Sequence, residues 1–522
     1  MLCKPCFCLR LRQEMARSCR TISEPSASFV FTNGTLANRL EHGSGRQSRA
    51  SMAALLILSL ETPVTGSSAV GYPAIGYPTG RPPTLAPNAM VCSPHALASA
   101  AGVDVLRSGG SCVDAAIATS ASLSVIYPHM TGIGGDAFWL IYDAASKQVR
   151  YLNGGGKAAR RGSIEWFKAQ GLSSIPLTGI LPATLTVPGA VASWCMAHEA
   201  YGRLPLKRDL AQAVAYAQHG YPVTARLAAF MDMARTENVF NAAAKALFLP
   251  EGRVPAPGEL LANRGLARVL ERIGESGRDG FYGGETARAL AAFAQDAGGL
   301  FDPSDFQAQQ SAWGEPLRGT YRGVDIVETP APTQGFTVLE MLNLVEPYEL
   351  RKMDPLGPDL AHLLVQAKQI AFHDRDAVLA DPEFVDVPVG RLISKAYAAQ
   401  RRGLIRMDRA LTWDEVPSYG SLNGDTVFMC VVDAEGNAAA LIQSLYSLFG
   451  SGVVAGDTGI LLQNRSAYFS LDPAHPNRLE AGKRPLHTLI ASMPSRMASY
   501  GTWWGAWART DSRRSTRRPM CG

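Results

Sequence analysis

The fold of this chain is decided by residues 424–473, which read GDTVFMCVVDAEGNAAALIQSLYSLFGSGVVAGDTGILLQNRSAYFSLDP. The first part of this stretch, VFMCVVDAEGNAAALIQS, places apolar residues on both sides of a D-x-x-G-N turn signal. Turn residues of this kind between two apolar runs are typical of a β-hairpin. We therefore predict two strands joined by a hairpin turn, with Thr426 at the head of the first strand.

A second strand pair is predicted upstream. TGIGGDAFWLIYD, residues 131–143, indicates a Gly-rich turn followed by a buried strand, and QVRYLNGGG, residues 148–156, indicates its partner. The piece GIGGDA also fits the dinucleotide fingerprint G-x-G-x-x-G/A. That fingerprint binds phosphate only between a strand and the N-terminus of a helix, whereas here the glycines follow a predicted helix and precede a strand. We therefore predict a tight turn and no nicotinamide or flavin site.

Helical patterns surround these strands. PHALASAAGVDVLRSGG predicts a helix that begins after Ser93 and ends at Gly109–Gly110. Residues 112–125 are almost entirely small or apolar, which indicates a helix buried on every side. GFTVLEMLNLVEPY and LAHLLVQAKQIAFHDR predict amphipathic helices, and the charged cluster 373–376 predicts a solvated helix face with ion pairs. Helices packed with hairpin-forming strands in one continuous body indicate the α+β class.

Composition and hydropathy describe a folded chain that does not span a membrane. Of the 522 residues, 47% are hydrophobic and 18% are charged, which provides a core for one large or two ordinary domains. The longest apolar run, Ala53–Leu60, is far shorter than the ~20 residues that cross a bilayer. This run is only a weak signal-peptide candidate. We therefore expect a cytoplasmic protein, with a periplasmic or secreted one as the alternative.

The net charge of +5 comes from the two ends of the chain. Residues 1–50 and residues 496–522 each carry a net charge of +5, so residues 51–495 carry −5. An acidic body gives little support to a nucleic-acid surface, and we predict no nucleic-acid partner. The cysteines of CKPCFC, residues 3–8, are followed by neither a histidine nor a second cysteine pair at zinc-like spacing. We predict no metal and no cofactor.

Thr426 is a candidate nucleophile as well as a strand former. A threonine becomes a catalytic nucleophile when its own α-amine is freed to act as the base. That amine has a pKa of about 7.7–8.0, close to working pH, so one residue would carry both functions. The requirement is a peptide bond cut directly before Thr426, which composition cannot show.

The quoted stretches resemble the γ-glutamyltransferase (glutathione hydrolase) family of N-terminal nucleophile hydrolases. The resemblance runs from about Pro87 to Pro485. It rests on GGSCVDAAIATSASLSVIYPHMTGIGGDAFWLIYD, LADPEFVDVP and GDTVFMCVVDAEGN…FGSGVV…TGILLQN…GKRPL, which stand in the family's order. The resemblance implies a four-layer αββα sandwich in which two central sheets lie between helical layers.

The resemblance also implies roles for particular residues. The precursor is expected to cleave itself between Asp425 and Thr426, which leaves a heavy chain and a light chain. Thr426 would then attack an amide carbonyl and form an acyl-enzyme. Ser444 stands at the family's second hydroxyl position, which orients the freed amine. Asp433 matches a family position at the end of the strand and is interpreted as structural.

Departures from the family pattern concern the substrate. Where γ-glutamyl enzymes carry an Arg–Glu pair, in the segment matching LNGGGKAA, this chain has Gly155 and Gly156. The light-chain positions that hold the α-carboxylate and α-ammonium of the γ-glutamyl group fall on Tyr446, Arg465 and Tyr468.

A further departure follows KRPL, where the family's serine pair becomes His487–Thr488. Losing these partners argues against γ-glutamyl binding, because an unpaired buried charge costs several kcal/mol. Arg465 instead offers a bidentate fork for a small carboxylate. The set QSLYSLFGSG, NRSAYFSLDP and PLHTL is similar to the oxamate amidohydrolase branch.

The sequence therefore predicts a self-processing amidohydrolase that acts on a small carboxylate-bearing amide, with water or an amine as acceptor. Its expected partners are the heavy and light chains of one precursor, with a further dimer as an option. Three alternatives stay open. They are a true γ-glutamyl hydrolase or transferase, an acylase for a larger amide that uses a roomier Gly155–Gly156 pocket, and a truncated inactive pseudoenzyme.

The resemblance divides the chain into four parts. Residues 1–86 are predicted to be a disordered leader, residues 87–425 the heavy chain and residues 426–490 the start of the light chain. Residues 491–522 contain WWGAWARTDSRRSTRRP, which continues no family pattern. We hypothesise that this tail is a frameshift product that replaces the family's Gly–Gly oxyanion-hole strand.

Overall fold

The computed structural model describes residues 84–412 and 425–494. Residues 1–83 of the predicted leader, which include the CKPCFC cysteines, and residues 495–522 of the predicted tail lie outside the described residues. So does the side chain of Asp425, although the backbone of this residue belongs to a strand.

Strands and helices alternate irregularly along the chain. The strands are β1 (Met90–Cys92), β2 (Asp136–Asp143), β3 (Gln148–Gly154), β4 (Tyr221–Pro222), β5 (Leu260–Leu261), β6 (Ala312–Gly314), β7 (Leu317–Tyr321), β8 (Val324–Glu328), β9 (Asp425–Val432), β10 (Ala438–Tyr446) and β11 (Ser492–Pro494). The first helices are α1 (Ala96–Arg107), α2 (Cys112–Ile126), α3 (Ile164–Ala169), α4 (Ile180–Ala183), α5 (Ala190–Tyr201), α6 (Leu206–His219), α7 (Ala225–Thr236) and α8 (Ala242–Phe248). The later helices are α9 (Arg264–Ser276), α10 (Asp279–Tyr282), α11 (Gly284–Asp296), α12 (Pro303–Ala308), α13 (Phe336–Val345), α14 (Pro358–Val378), α15 (Val389–Leu392) and α16 (Lys395–Arg402).

A six-stranded sheet in the order β1-β9-β10-β2-β3-β6 forms the centre of the described structure. All of its neighbouring strands run antiparallel. The hairpin predicted from VFMCVVDAEGNAAALIQS is confirmed as β9 and β10, and the pair predicted upstream is confirmed as β2 and β3. In the β9–β10 turn the Asp433 carboxylate accepts hydrogen bonds from the backbone N–H groups of Glu435 and Asn437, which confirms its structural role.

The six-stranded sheet is buried on both faces. Alternate residues of its strands, such as Trp139 and Leu441, pack with α2, α5 and α6 in one large cluster. The intervening residues, such as Phe138 and Ile442, pack with Val327 and Met493 in a second cluster. Because strand side chains alternate between faces, a sheet buried on both sides has apolar residues at nearly every position. This accounts for the continuous apolar runs in the sequence.

A three-stranded sheet in the order β11-β8-β7 lies against the second face. Its other side packs on α13 and α14 through a third cluster, which includes Ile326, Leu342 and Leu363. The described residues therefore form a mixed helix and sheet structure, which agrees with the predicted α+β class.

The predicted helices are present, but the environment of two segments differs from the prediction. The first two predicted helices are confirmed as α1 and α2, and all fifteen residues of α2 are buried. The prediction that α13 is amphipathic was wrong, because all of its residues are buried between β7, β8, α14 and α16.

The predicted solvated face around residues 373–376 was also wrong. Asp374, Arg375 and Asp376 are each 6% exposed. The predicted ion pairs are present, with Arg375 Nε donating to Asp376 Oδ1 at 2.7 Å and Arg401 donating to Asp374 at 2.9 Å. Mutual pairing allows these charges to be buried.

The Gly-rich segment before β2 is the predicted tight turn. It follows α2 and leads directly into a strand, which is the reverse of a phosphate-binding loop. A Cβ atom on Gly134 would lie 2.1 Å from the Leu461 carbonyl oxygen, and one on Gly135 would lie 2.2 Å from that of Ser444. The glycines therefore allow this turn to pack closely against the backbone of Ser444 and Leu461. Among the described helices, none is both long enough and apolar enough to cross a bilayer.

Gly156 gives a test of this packing. A Cβ atom there would lie 1.9 Å from the Val187 carbonyl oxygen and 2.9 Å from Asp136 Oδ1. We expect Gly156→Ala to lower the free energy of unfolding by about 3 kcal/mol or more, measured by urea denaturation. Gly390→Ala is the control, because its Cβ meets nothing within 4 Å. Since Gly390 lies in α15, alanine there should leave stability unchanged or raise it by up to about 1 kcal/mol. Equal stability of the two variants would contradict the predicted close packing.

Candidate active site

Thr426 and Ser444 are brought together by the pairing of β9 with β10. The Thr426 side chain is exposed, and its Oγ1 donates a hydrogen bond to the buried Ser444 Oγ at 3.1 Å. Thr426 lies one residue inside the N-terminal end of β9. The two hydroxyls predicted to work together are therefore in direct contact.

A bulge in β10 produces this contact. Gln443 pairs with Val427 and Tyr446 pairs with Asp425, so that two residues of β10 lie opposite Thr426. Tyr446 has a φ of +85°, a left-handed backbone conformation that is rare for a large side chain. Its backbone N–H donates to Ser444 Oγ at 2.8 Å. Bulges commonly redirect a side chain next to an active site, and this one aims the Ser444 hydroxyl at Thr426.

Gln443, which the sequence analysis did not single out, fixes the bulge from the opposite face of the sheet. Its side chain is fully buried. The amide oxygen accepts hydrogen bonds from Ser120 at 2.7 Å and Trp194 at 3.1 Å. The amide nitrogen donates to Ser124 at 3.0 Å and Thr131 at 3.1 Å. Gln443 therefore holds the strand next to Ser444 against α2 and α5.

Arg465 is the most unusual charge near this bulge. It begins a short 3-10 helix, Arg465–Tyr468, and its side chain is fully buried. Nη1 donates to Thr488 Oγ1 at 2.9 Å, whereas Nε and Nη2 have no hydrogen-bond partner among the described residues. The guanidinium carbon lies 4.5 Å from the ring centre of Tyr446 and 5.7 Å from that of Tyr468. Burial lowers the pKa of Arg465.

Asp136 and His487 form a second buried polar group beside Arg465. Oδ2 of Asp136 lies 3.4 Å from Nε2 of His487, and both side chains are fully buried. Oδ1 accepts hydrogen bonds from the Gly189 N–H at 3.0 Å and from Gln463 at 3.1 Å. Burial raises the pKa of Asp136 to about 7, opposed by the charge of Arg465. Burial and the charge of Arg465 hold the pKa of His487 well below its usual range.

Sequence reasoning named His487 but missed Asp136 and Gln463. Asp136 begins β2 directly opposite Ser444 on β10, and such a long-range strand register cannot be derived from local sequence patterns. The one local signal was an acidic residue placed between a glycine turn and an otherwise apolar strand.

Gly155 and Gly156 lie in tightly packed surroundings near this group. The Gly155 carbonyl oxygen accepts hydrogen bonds from Gln309 at 3.1 Å and Arg484 at 3.3 Å. A backbone hydrogen bond from Gly156 supports the Asp136 carboxylate. The structure therefore places Gly156 next to the Asp136 carboxylate, and the lack of side chains on both glycines permits close packing there.

One cluster of described side chains, Asp114, His198 and Asp209, has the composition of a metal site. Nε2 of His198 lies 3.8 Å from an Asp114 oxygen and 3.6 Å from an Asp209 oxygen. However, the same nitrogen lies 2.7 Å from the Leu204 carbonyl oxygen, which indicates a donated N–H and no free lone pair for a cation. Burial and Asp114 raise the pKa of Asp209 to about 9. We therefore interpret the two carboxyl groups as sharing a proton.

The arrangement as a whole suits acyl transfer: two hydroxyls in contact at a strand end, a buried guanidinium with N–H groups that no described residue accepts, and an Asp–His pair. Comparisons with known proteins point to enzymes that carry out this type of reaction. The family model of gamma-glutamyltranspeptidase matches residues 98–502. Because the match covers more than half of the sequence, the chain belongs to the gamma-glutamyltranspeptidase family.

Particular relatives carry several different activities in their names. The chain is 42% identical to the glutathione hydrolase-like YwrD proenzyme of Bacillus subtilis (strain 168), over 80% of this chain and 78% of the relative. It is 36% identical to the oxamate amidohydrolase proenzyme of Klebsiella pneumoniae subsp. pneumoniae, over 80% and 79%. The crystal structure of cephalosporin acylase from Bacillus halodurans aligns with a TM-score of 0.73 and 37% identity, over 82% of this chain and 78% of that one.

The shared proton between Asp114 and Asp209 predicts a pH dependence of stability. The folded chain retains a proton on Asp209 up to about pH 9, whereas an ordinary aspartate releases it near pH 3.8. Between these values Asp209 therefore lowers the free energy of unfolding by up to about 1.4 kcal/mol per pH unit as the pH rises.

Asp209→Asn removes this proton and keeps a hydrogen-bond donor. We expect the variant to gain stability relative to the unmodified chain as the pH rises from 5 to 8, measured by urea denaturation at about one-unit steps. Asp232→Asn, on exposed α7 surface, is the control and should show a constant difference. A constant difference for Asp209→Asn, or a rise in melting temperature with Mn²⁺ or Zn²⁺ that this variant loses, would contradict the shared proton.

Proposed function

We propose that the chain is a self-processing amidohydrolase in which Thr426 is the nucleophile and the substrate is a small amide that bears a carboxylate, as oxamate does. The observation that carries the proposal is Arg465, a fully buried guanidinium with two nitrogens unpartnered among the described residues. It lies in contact with Tyr446, two residues from Ser444.

Self-processing would use the contact between Thr426 and Ser444. Thr426 Oγ1 attacks the carbonyl carbon of Asp425, and the peptide bond to the Thr426 nitrogen breaks as an ester forms. The proton of Oγ1 passes to the departing Thr426 nitrogen. Water then hydrolyses the ester, which leaves a carboxylate on Asp425 and a free α-amine on Thr426. The Ser444 hydroxyl, fixed by the Tyr446 N–H, holds Oγ1 in place during the attack.

The processed enzyme would repeat the same chemistry on its substrate. The freed α-amine takes the proton of Thr426 Oγ1 as the oxygen attacks the amide carbonyl, and it gives that proton to the departing amine. The acyl group remains on Oγ1 as an ester. Water attacks this ester and releases the acid, and the α-amine again transfers the proton.

Arg465 supplies the reason for a carboxylate on the substrate. Leaving a guanidinium buried without an anion costs several kcal/mol, so the site favours a ligand that completes its pairing. The planar fork of arginine matches a carboxylate with two parallel hydrogen bonds, and Thr488 holds the remaining nitrogen in position. Full burial favours a compact acid over a long one.

A γ-glutamyl substrate is the second candidate, and Asp136 is the observation that favours it. Its Oδ2 has no hydrogen-bond partner among the described residues, so it could accept an α-ammonium group. With a pKa of about 7, however, Asp136 is only partly ionised at neutral pH and is a weak partner for a cation. An acylase for a larger amide receives less support, because the roomier pocket was expected at Gly155 and Gly156, which are closely packed. A Cβ atom on Gly155 would lie 3.1 Å from Asn153, and one on Gly156 would lie 1.9 Å from the Val187 carbonyl oxygen.

The proposal also includes the finer architecture. The three apolar clusters support a four-layer αββα sandwich, with the six-stranded and three-stranded sheets between helical layers. In that arrangement the light chain contributes β9 and β10 to the middle of the larger sheet. The heavy chain contributes the strands on either side.

Intact mass and N-terminal sequencing test the processing step. We expect the purified protein to separate into two chains, one of which begins Thr426-Val427-Phe428. Thr426→Ala should remain a single chain of 55.8 kDa, whereas Thr426→Ser keeps a hydroxyl and should still process. An uncut unmodified chain would instead support the inactive pseudoenzyme.

Arg465→Gln tests the substrate class. With oxamate we expect kcat/KM to fall about 100-fold, the effect of losing hydrogen bonds to a charged group. With neutral oxamide, in which an amide replaces the carboxylate, kcat/KM should change little. Arg402→Gln, whose guanidinium contacts the carbonyl oxygens of Asn343 and Leu344, is a control for general effects on folding. Cleavage of γ-glutamyl-p-nitroanilide without turnover of oxamate would overturn this assignment in favour of the second candidate.

A further inference from the structure

Two of the described cysteines face each other across the edge of the six-stranded sheet. Cys92 on β1 and Cys430 on β9 are direct partners in the antiparallel register, and both are free thiols. β1 is the edge strand, and Cys92 is exposed there. The cysteines show no pairing pattern in the sequence, so only the strand register reveals this pair.

The register satisfies the geometric requirement for a disulfide. Directly opposed residues on antiparallel strands have Cα atoms about 4.5 or 5.5 Å apart, depending on the type of pair. Disulfides join residues whose Cα atoms are about 4.4–6.8 Å apart, so either type of pair fits. The neighbouring partners Val91–Val431 and Met90–Val432 hold the register in place.

We propose that Cys92 and Cys430 close to a disulfide that links the heavy chain to the light chain when the protein meets a low-molecular-weight disulfide such as oxidised glutathione. The link between separate chains rests on the proposed cleavage before Thr426. The bond itself does not depend on it, because the two strands pair in the uncut chain as described here.

The environments of the two thiols determine which of them reacts first with the small disulfide. Cys92 is the exposed thiol of the pair, and interaction with Cys430 lowers its pKa, so Cys92 is the attacking thiolate. Its sulfur attacks one sulfur of the small disulfide, whose S–S bond breaks and releases one thiolate. The neighbouring Cys92 and burial raise the pKa of Cys430, which makes it the resolving thiol.

In the second step Cys430 loses its proton to solvent and attacks the Cys92 sulfur of the mixed disulfide, which releases the second thiolate. Two protein thiols are thereby oxidised to one disulfide, and the small disulfide is reduced to two thiols. The disulfide would join β1, a three-residue edge strand of the heavy chain, to β9. Cys430 lies four residues after Thr426 on β9. The two chains could then separate only after reduction.

The test uses the full-length protein after incubation with either oxidised glutathione or dithiothreitol. In oxidised glutathione we expect the processed protein to run as one species near 55.8 kDa on a non-reducing gel and as two chains after reduction. Peptide mapping should recover a cross-linked peptide that contains Cys92 and Cys430. Cys92→Ser and Cys430→Ser should lose both signals. The matched control Cys195→Ser, a partly buried cysteine on α5, should keep both.

Thr426→Ala separates failure of this proposal from failure of the proposed cleavage. This uncut variant should still yield the Cys92–Cys430 peptide in oxidised glutathione. If the unmodified protein proves to be uncut yet yields the peptide, the disulfide stands and only the link between chains is lost. Absence of the peptide from both proteins in oxidised glutathione would overturn the proposal, whatever the state of processing.

Discussion

The position of β10 between β9 and β2 is the constraint on which the rest of the structure depends. All nine residues of β10 are buried, and both of its edges are paired. The strand therefore cannot shift by one residue without exchanging the side chains of its two apolar faces. Since the register is fixed, the extra residue at the bulge must be accommodated near Ser444. This places the Ser444 hydroxyl against Thr426.

The same register explains which parts of the site could be predicted. Strand pairs and helices follow from local patterns of apolar residues and turn signals, so β9, β10, α1 and α2 were found from the sequence. The pairing of Ser444 with Asp136 joins distant segments. No local pattern contains that information. The position of Thr426 at the head of a strand followed from the sequence, but the cleavage before it and the role of Ser444 were inferred only from the resemblance to a known family.

Burial was the property that the sequence predicted least well. The charges at 374–376 suggested a solvated face, and the polar residues of α13 suggested an amphipathic helix. Both segments are enclosed, because helices on two sides and a sheet on a third leave α13 no exposed face. A charged residue indicates solvent only when no opposite charge is within reach, and Arg375 and Arg401 provide those charges here.

Electrostatic coupling between Arg465 and Asp136 connects binding to protonation in the candidate site. The positive charge of Arg465 opposes the rise in the pKa of Asp136 that burial causes. A carboxylate bound to Arg465 would cancel much of the effect of this positive charge on the pKa of Asp136. Asp136 would then take up a proton near neutral pH. A neutral Asp136 would present a hydroxyl donor to the substrate, whereas an ionised Asp136 would repel an anionic substrate. If the proposed carboxylate substrate binds Arg465, Asp136, which the sequence analysis missed, would therefore be neutral and would not repel it.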